Sequence, residues 1–210
     1  MNTQDAYTDW SSTYDSDRNL TRDLDAAVTH DVLAGLRCVS ILETGCGTGK
    51  NTAFLAQLGR HVHALDFSEG MIARAADKLR LSNVSFTAAD LTRRWPVNDR
   101  SVDLISCNLV LEHIQELGFI FFEGARVLAA GGRFFICELH PFRQYQGTKA
   151  HYQRWHGTTE IPAFVHHLSD FTATATSHGF ALLSLKEWWH AEDQDEVPRL
   201  VSFLFEKPAA

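Results

Sequence analysis

The stretch Ile41-Leu42-Glu43-Thr44-Gly45-Cys46-Gly47-Thr48-Gly49 decides the fold of this 210-residue chain. An apolar run ends there in an acid and continues into three glycines at alternate positions. Glycine tolerates positive φ and carries no side chain, so the pattern predicts a strand that breaks into a tight loop, against which a ligand can pack closely. A helix is predicted to begin near Asn51.

The glycine spacing excludes two common nucleotide-binding loops. A dinucleotide loop has its third glycine three residues after the second, and a P-loop ends in Gly-Lys followed by Ser or Thr. Here Gly47 and Gly49 are two residues apart, and Lys50 is followed by Asn51. Neither pattern fits.

With its Glu-x-Gly-x-Gly-x-Gly pattern, the chain resembles the class I S-adenosylmethionine-dependent methyltransferases that act on small molecules. The resemblance implies an α/β fold: a Rossmann-like, doubly wound seven-stranded sheet with an antiparallel last strand, helices on both faces and a lid insertion after strand 5. The cofactor would be S-adenosyl-L-methionine, with S-adenosyl-L-homocysteine as the product. The loop residues implied to hold its methionine end and ribose are Glu43, Thr44, Gly45, Gly47 and Gly49.

Composition narrows the class of partner. Apolar residues make up 45% of the chain and charged residues 21%, which is typical of one globular domain. The net charge of -7 and the lack of a Lys/Arg run argue against nucleic acid. No apolar leader or membrane-length run is found. We therefore predict a cytoplasmic enzyme with a small-molecule acceptor and no membrane partner, and leave monomer and homodimer open.

Cysteine and histidine suggest no metal site. The four cysteines lack CxxC spacing and are interpreted as buried free thiols. His61 and His63 share a predicted strand face, and His166 adjoins His167, but no spaced cysteine or carboxylate set completes either pair.

The chain is predicted to be one methyltransferase domain. Its N-terminus is expected to be irregular and to become helical from about Leu20, at the spacing of an amphipathic helix. The predicted parts of the domain, residues 1–210, are an N-terminal lid and helix (1–36), a cofactor-binding core (37–140), a substrate-lid insertion (141–168), and a C-terminal helix with a β-hairpin (169–210).

Asp66 is the candidate ribose-binding acid. It ends the second predicted strand, residues 61–65, and follows Gly45 by 21 residues, close to the usual distance between loop and ribose acid. Alternatively it only starts the next turn. Phe67 and Met71, at the start of the following helix, are assigned to the same cofactor pocket.

Further cofactor residues follow from the resemblance. Asp90 and Leu91, after a strand at 84–88, are implied to meet the adenine, although Asp90 could only cap a turn. A strand at 103–108 brings Cys107 and Asn108 toward the transferred methyl group. It lacks the Asn/Asp-Pro-Pro-Tyr/Phe motif of enzymes that methylate adenine and glutamine amino groups. Tyr14 resembles a tyrosine that folds over the cofactor, and could instead only pack a helix.

The acceptor site is predicted after the fifth strand. A helix over 118–130, stopped by Gly131-Gly132, precedes a buried strand at 133–139. The irregular stretch 142–168 is interpreted as the acceptor-site lid, or else as a structural cover. Its aromatic and histidine residues are Tyr145, Tyr152, Trp155, His156, Phe164, His166 and His167.

Three histidines are candidate general bases. A base is required only if the acceptor is a hydroxyl or a protonated amine. His140 ranks first, because it ends a central strand, although it could be held only in a Pro-anchored turn. His113 is the second candidate or a pocket wall, and His167 could reach over from the lid. The favoured function is methyl transfer to O, N or C of a small metabolite. A catalytically altered cofactor-binding module of the same fold is the alternative, and the glycine spacing disfavours an NAD-dependent oxidoreductase.

Overall fold

A seven-stranded sheet forms the centre of the protein. The computed structural model describes residues 3–148, 151–154, 157–193 and 196–209, and of residues 151–154 and 157–160 it describes the backbone only. The sheet consists of β1 (Cys38–Thr44), β2 (Gly59–Asp66), β3 (Val84–Ala88), β4 (Val102–Asn108), β5 (Leu128–Leu139), β8 (Ala181–Trp188) and β9 (Leu200–Glu206). A separate hairpin pairs β6 (His151–Arg154) with β7 (Gly157–Glu160).

The strand order is β3-β2-β1-β4-β5-β9-β8. The first five strands run parallel to one another, and β9 runs antiparallel to both of its neighbours. Strand order reverses between β1 and β4, and the carboxyl ends beside such a switch point form a crevice in doubly wound sheets. The predicted fold class, with its antiparallel last strand, is confirmed.

Helices cover both faces of the sheet. They are α1 (Thr3–Trp10), α2 (Leu20–Leu33), α3 (Thr52–Leu58), α4 (Glu69–Lys78), α5 (Leu117–Val127), α6 (Pro141–Tyr145) and α7 (Leu168–Ser177), with a 3₁₀ turn at Leu111–His113. Phe134 packs into a core with α5 and α7, and the next residue, Phe135, packs into a second core with α2 and α3. Because consecutive strand residues face opposite sides, this strand is apolar at nearly every position.

The N-terminus differs from the prediction of an irregular start, because α1 is a helix. Ala6 and Trp10 lie one helical turn apart and are buried against Ile161. The Thr8 hydroxyl lies 3.0 Å from that of Ser68, the residue that caps α4. The short apolar stripe is therefore stabilised by a distant segment, which local periodicity could not reveal.

Two further boundaries also differ. The predicted helix over 118–130 ends at Val127, and β5 begins at Leu128, which pairs with Val102. The helix therefore ends before the predicted stop at Gly131-Gly132, because residues from Leu128 onward pair with β4. In the stretch 142–168, predicted to be irregular, α6 continues to Tyr145 and the β6–β7 hairpin forms. No helix within the described ranges is long and apolar enough to cross a membrane.

Candidate functional site

A cavity of about 550 Å³ opens at the carboxyl ends of the parallel strands. Its floor is formed by the glycine loop after β1, the end of β2, the segment after β3 and the loop after β4. Residues of α1, α2 and the segment between them form the rest of the wall. Predicted cofactor residues that line it are Tyr14, Glu43, Gly45, Gly47, Asp66, Phe67, Met71, Asp90, Leu91 and Asn108.

The glycine loop is held against the end of β2 by backbone hydrogen bonds. The Gly45 and Cys46 N–H groups both donate to the Leu65 carbonyl, at 2.8 and 2.9 Å. The three glycines of the loop all have positive φ, between 53° and 82°. A Cβ added to Gly47 would meet no atom within 4 Å, so its backbone faces open space in the cavity. The loop thus presents bare backbone to a ligand.

Asp66 joins this loop to the start of α4. Its Oδ2 accepts the Gly47 N–H at 2.9 Å, and its Oδ1 accepts the Ser68 N–H at 2.9 Å. Burial raises the pKa of this carboxyl, and the backbone donors oppose that shift. A carboxylate oxygen has two lone-pair sites, so each oxygen of Asp66 can still accept a hydrogen bond from a ligand hydroxyl.

The segment after β3 forms another wall of the cavity. Asp90 is exposed at the rim, and its Oδ1 accepts the backbone N–H of Thr92 at 2.9 Å and the Thr92 hydroxyl at 2.7 Å. It therefore caps a turn and lines the cavity at the same time. Leu91 and Met71 are buried and supply apolar surface. This wall thus combines apolar side chains with one carboxylate.

Three predicted cofactor residues do not line the cavity. Thr44 is buried, and its hydroxyl donates to the Ser106 carbonyl across the sheet. Gly49 faces Leu79 and Ala75 of the helix behind the loop. Cys107 lies in the apolar core between sheet and helices. Thr44 and Cys107 are strand residues whose side chains face away from the crevice, as alternate residues of a strand do. Gly49 lies in the loop and packs against the neighbouring helix.

Of the three candidate bases, the structure brings only His113 to the cavity. His113 Nε2 lies 2.8 Å from the Tyr7 hydroxyl, and Nδ1 lies 2.9 Å from the Pro162 carbonyl oxygen. A carbonyl oxygen can only accept, so Nδ1 donates to Pro162, and in the neutral tautomer that carries this proton Nε2 accepts from the Tyr7 hydroxyl.

His140 and His167 lie outside this cavity. His140 is 1% exposed, its Nδ1 accepts the Phe142 N–H, and its Nε2 donates to Glu187 at 2.9 Å. Burial lowers the pKa of His140, although Glu187 opposes that shift. His167 caps α7 and hydrogen-bonds the Tyr145 hydroxyl. His140 ends a central strand as predicted, but its ring turns back to cap α6 and does not line the cavity.

Sequence reasoning missed several cavity residues in the first two helices. Arg22 is 8% exposed and stacks on the Tyr14 ring at 3.9 Å. Its guanidinium donates to the Tyr14 and Asp17 carbonyls, and it has no carboxylate partner among the described residues. Asp25 accepts hydrogen bonds from Asn51 and Asn108, and burial raises its pKa. No sequence motif marks these positions, because the helix is far from the loop along the chain.

Glu43 is the buried acid at the end of β1. Its Oε2 accepts the Thr52 hydroxyl at 2.6 Å. The pKa of Glu43 is raised to about 8, mainly by burial, while the Thr52 hydrogen bond opposes the shift and the nearby carboxylates Asp25 and Asp66 add to it. The native protein thus keeps a proton that the unfolded chain releases near the ordinary glutamate pKa of about 4.3.

We expect Glu43→Gln to gain stability relative to the unchanged protein as pH rises. The native pKa is raised, so the stability linked to the protonated Glu43 is present below the unfolded pKa and is lost toward pH 8. Glutamine cannot ionise, so the variant loses none of it. The unfolding free energy of the variant, minus that of the unchanged protein, should increase by up to about 1.4 kcal/mol per pH unit. Urea titrations of both proteins at pH 5.5, 6.5 and 7.5 measure it, and a pH-independent difference would contradict the raised pKa.

Comparison with known proteins connects this site to a family. Residues 42–136 match the family model described as "Methyltransferase domain". The DhpI–SAH complex structure superposes with a TM-score of 0.77 at 23% identity, over 99% of this chain and 96% of that chain. Residues 42–136 thus resemble a methyltransferase domain, and the chain as a whole shares the fold of that structure. The matched segment runs from β1 into β5 and thus includes the glycine loop, Asp66, Asp90 and His113.

Curated relatives match this chain over different lengths. A demethylmenaquinone methyltransferase of Clavibacter sepedonicus is 40% identical over 47% of this chain and 40% of its own length. The chain therefore spans less than half of that relative. An uncharacterized methyltransferase of Emericella nidulans is 27% identical over 88% of this chain and 78% of its own length. Because the family model matches less than half of this chain, activity and substrate are argued from the site below.

Proposed function

We propose that this protein binds S-adenosyl-L-methionine in the 550 Å³ cavity and transfers its methyl group to a small-molecule acceptor. The observation that carries the proposal is the hydrogen bond from the Gly47 N–H to Asp66 Oδ2. It joins the glycine loop after β1 to the carboxyl end of the neighbouring strand β2. It places a carboxylate with spare lone pairs beside bare loop backbone. That combination suits the vicinal hydroxyls of a ribose.

The charges in the cavity suit the other parts of this cofactor. Arg22 is the buried cation without a carboxylate partner among the described residues, so it can hold the cofactor's carboxylate. Asp25 and Asp66 place acidic groups beside the loop, which favour a ligand with cationic centres. Asp90, Leu91 and Met71 are proposed to hold the adenine. Such a cofactor supplies an electrophilic methyl group on a positively charged sulfur.

The protein's own part in the reaction is positioning and proton removal. Nucleophile and methyl must lie in line in a site from which water is excluded. For a hydroxyl acceptor, we propose that the Tyr7 hydroxyl passes the acceptor proton to His113 Nε2, its hydrogen-bond partner. Burial holds the pKa of Tyr7 well above its ordinary value, so Tyr7 stays a neutral relay. The Pro162 carbonyl accepts from Nδ1–H and stabilises the imidazolium that forms.

Thermal melting with S-adenosyl-L-methionine, S-adenosyl-L-homocysteine and NADH tests the cofactor assignment. A ligand at about 100 times its Kd that binds only the native state adds roughly 2.7 kcal/mol, or several degrees. We expect both sulfur ligands to give this shift and NADH to give none. Asp66→Ala should lose the shift. Asp77→Ala, an exposed acid on α4, should keep it.

The outcomes separate the alternatives. A shift with NADH alone would overturn the assignment of the glycine loop. If the sulfur ligands shift the melt, the formation of S-adenosyl-L-homocysteine with a metabolite library tests turnover. Binding without any turnover would instead support the altered cofactor-binding module.

A further inference from the structure

A second cavity, of about 260 Å³, lies next to the first. Its walls come from the N-terminal segment, the loop after β4, the segment after β5 and Arg199. Tyr7, Tyr14, Arg22 and Leu109 line both cavities. A molecule in the second cavity would therefore border one in the first at these four side chains.

The shared wall carries signs of a reaction site. The Tyr7 hydroxyl forms a hydrogen bond with His113, the proposed base. Leu109 has a φ of 55°, which is uncommon for a residue with a branched side chain. Its N–H donates to the Cys137 carbonyl, while Glu138 Oε1 accepts the N–H groups of the next two residues, both at 2.9 Å. The fold thus holds a strained residue between the two cavities, and strain of this kind clusters at functional sites.

The charged side chains of the second cavity are mostly cationic. Among the described residues, those that line it include Arg18, Arg22 and Arg199, against one acid, Glu112. Glu112 is buried, and burial raises the pKa of its carboxyl, which favours the protonated form. Arg199 is paired with Asp193, and Arg18 forms an exposed pair with Glu192. An exposed pair contributes little stability, so Arg18 can exchange its partner for a ligand at low cost.

The aromatic side chains of this cavity are not free to form a cage for an amine. The Arg22 guanidinium carbon already lies over the Tyr14 ring at 3.9 Å and over the Trp10 ring at 5.4 Å. A second cation on the same faces would be repelled by Arg22. An anion is attracted, and the guanidinium fork matches the two oxygens of a carboxylate.

We propose that the second cavity is the acceptor site, and that the acceptor is a small, partly apolar molecule with a carboxylate or similar oxyanion bound by Arg18 and Arg199. This inference rests on the proposed methyltransferase function. The volume is below that of sites for drug-sized ligands, which limits the acceptor to a small molecule. Its nucleophile points toward Tyr7, and its anionic group toward the arginines at the other wall.

Matched probes test the acceptor class. Isothermal titration of the protein, saturated with S-adenosyl-L-homocysteine, compares 4-hydroxybenzoate, 4-hydroxybenzamide and 4-hydroxybenzylamine, which differ mainly in charge. We expect the acid to bind at least tenfold more tightly than the amide, and the amine to bind most weakly. Arg18→Gln should weaken binding of the acid several-fold. Arg80→Gln, an exposed arginine after α4, should leave it unchanged.

Several results would overturn the proposal. They are equal affinities, absence of binding by all three probes, tighter binding of the amine, or an unchanged affinity for the acid in Arg18→Gln. Competition between the acid and S-adenosyl-L-homocysteine would place the acid in the first cavity and would also overturn it. Binding of S-adenosyl-L-homocysteine is measured first without probes, so failure of the cofactor assignment is recognised separately.

Discussion

Replacement of His113 by glutamine should lower kcat with a hydroxyl acceptor by about 10²–10⁴-fold, the usual contribution of a positioned general base. Glutamine keeps hydrogen-bonding capacity toward the Pro162 carbonyl but cannot take up the acceptor proton. Tyr7→Phe should lower kcat in the same direction, because it removes the hydroxyl that joins the acceptor to Nε2. Initial rates with an acceptor found by library screening, measured from pH 6 to 9, give both values.

The control for this prediction is His61→Gln. His61 is exposed on β2 and lies outside the cavity, so its replacement should leave kcat unchanged. The affinity for S-adenosyl-L-homocysteine should be similar in the Tyr7 and His113 variants, since proton transfer is not part of cofactor binding. If His113→Gln stays within threefold of the unchanged enzyme across the pH range, the relay is wrong and another group accepts the proton.

Gly45→Ala should destabilise the protein by about 2–5 kcal/mol. Gly45 has a φ of 76°, and a non-glycine residue in this conformation costs about 1–2 kcal/mol. The added Cβ would also lie 2.0 Å from Cγ2 of Val110, a collision that forces the β1 and β4 loops apart. Overpacking of that kind adds about 1–3 kcal/mol. Urea unfolding without ligand measures the total.

Gly35→Ala is the matched control for this substitution. Gly35 has a φ of 85°, but its added Cβ would meet no atom within 4 Å. Its cost should be only the conformational part, about 1–2 kcal/mol. The difference between the two variants isolates the contact with Val110. Equal losses of stability would show that the two loops do not pack as closely as described.

Local sequence patterns were sufficient for most strands of the sheet and for many residues that line the first cavity. The break from apolar run to alternate glycines marks β1 and its loop, and the distance to Asp66 marks the end of β2, because both depend on short-range chemistry and spacing. The strand at 84–88 and the helix after Asn51 follow from the same periodicities. These features are properties of one element at a time.

Only the tertiary structure decided which side chains share the site. Trp10 and Ala6 become buried because Ile161, far along the chain, packs on them. His113 and His140 both follow central strands, and the sequence-based ranking put His140 first, whereas only His113 lines the cavity. The fold turns His113 toward Tyr7. It turns His140 toward Glu187. The direction of a side chain after a strand depends on the turn that follows and on distant partners, and neither is encoded in local periodicity.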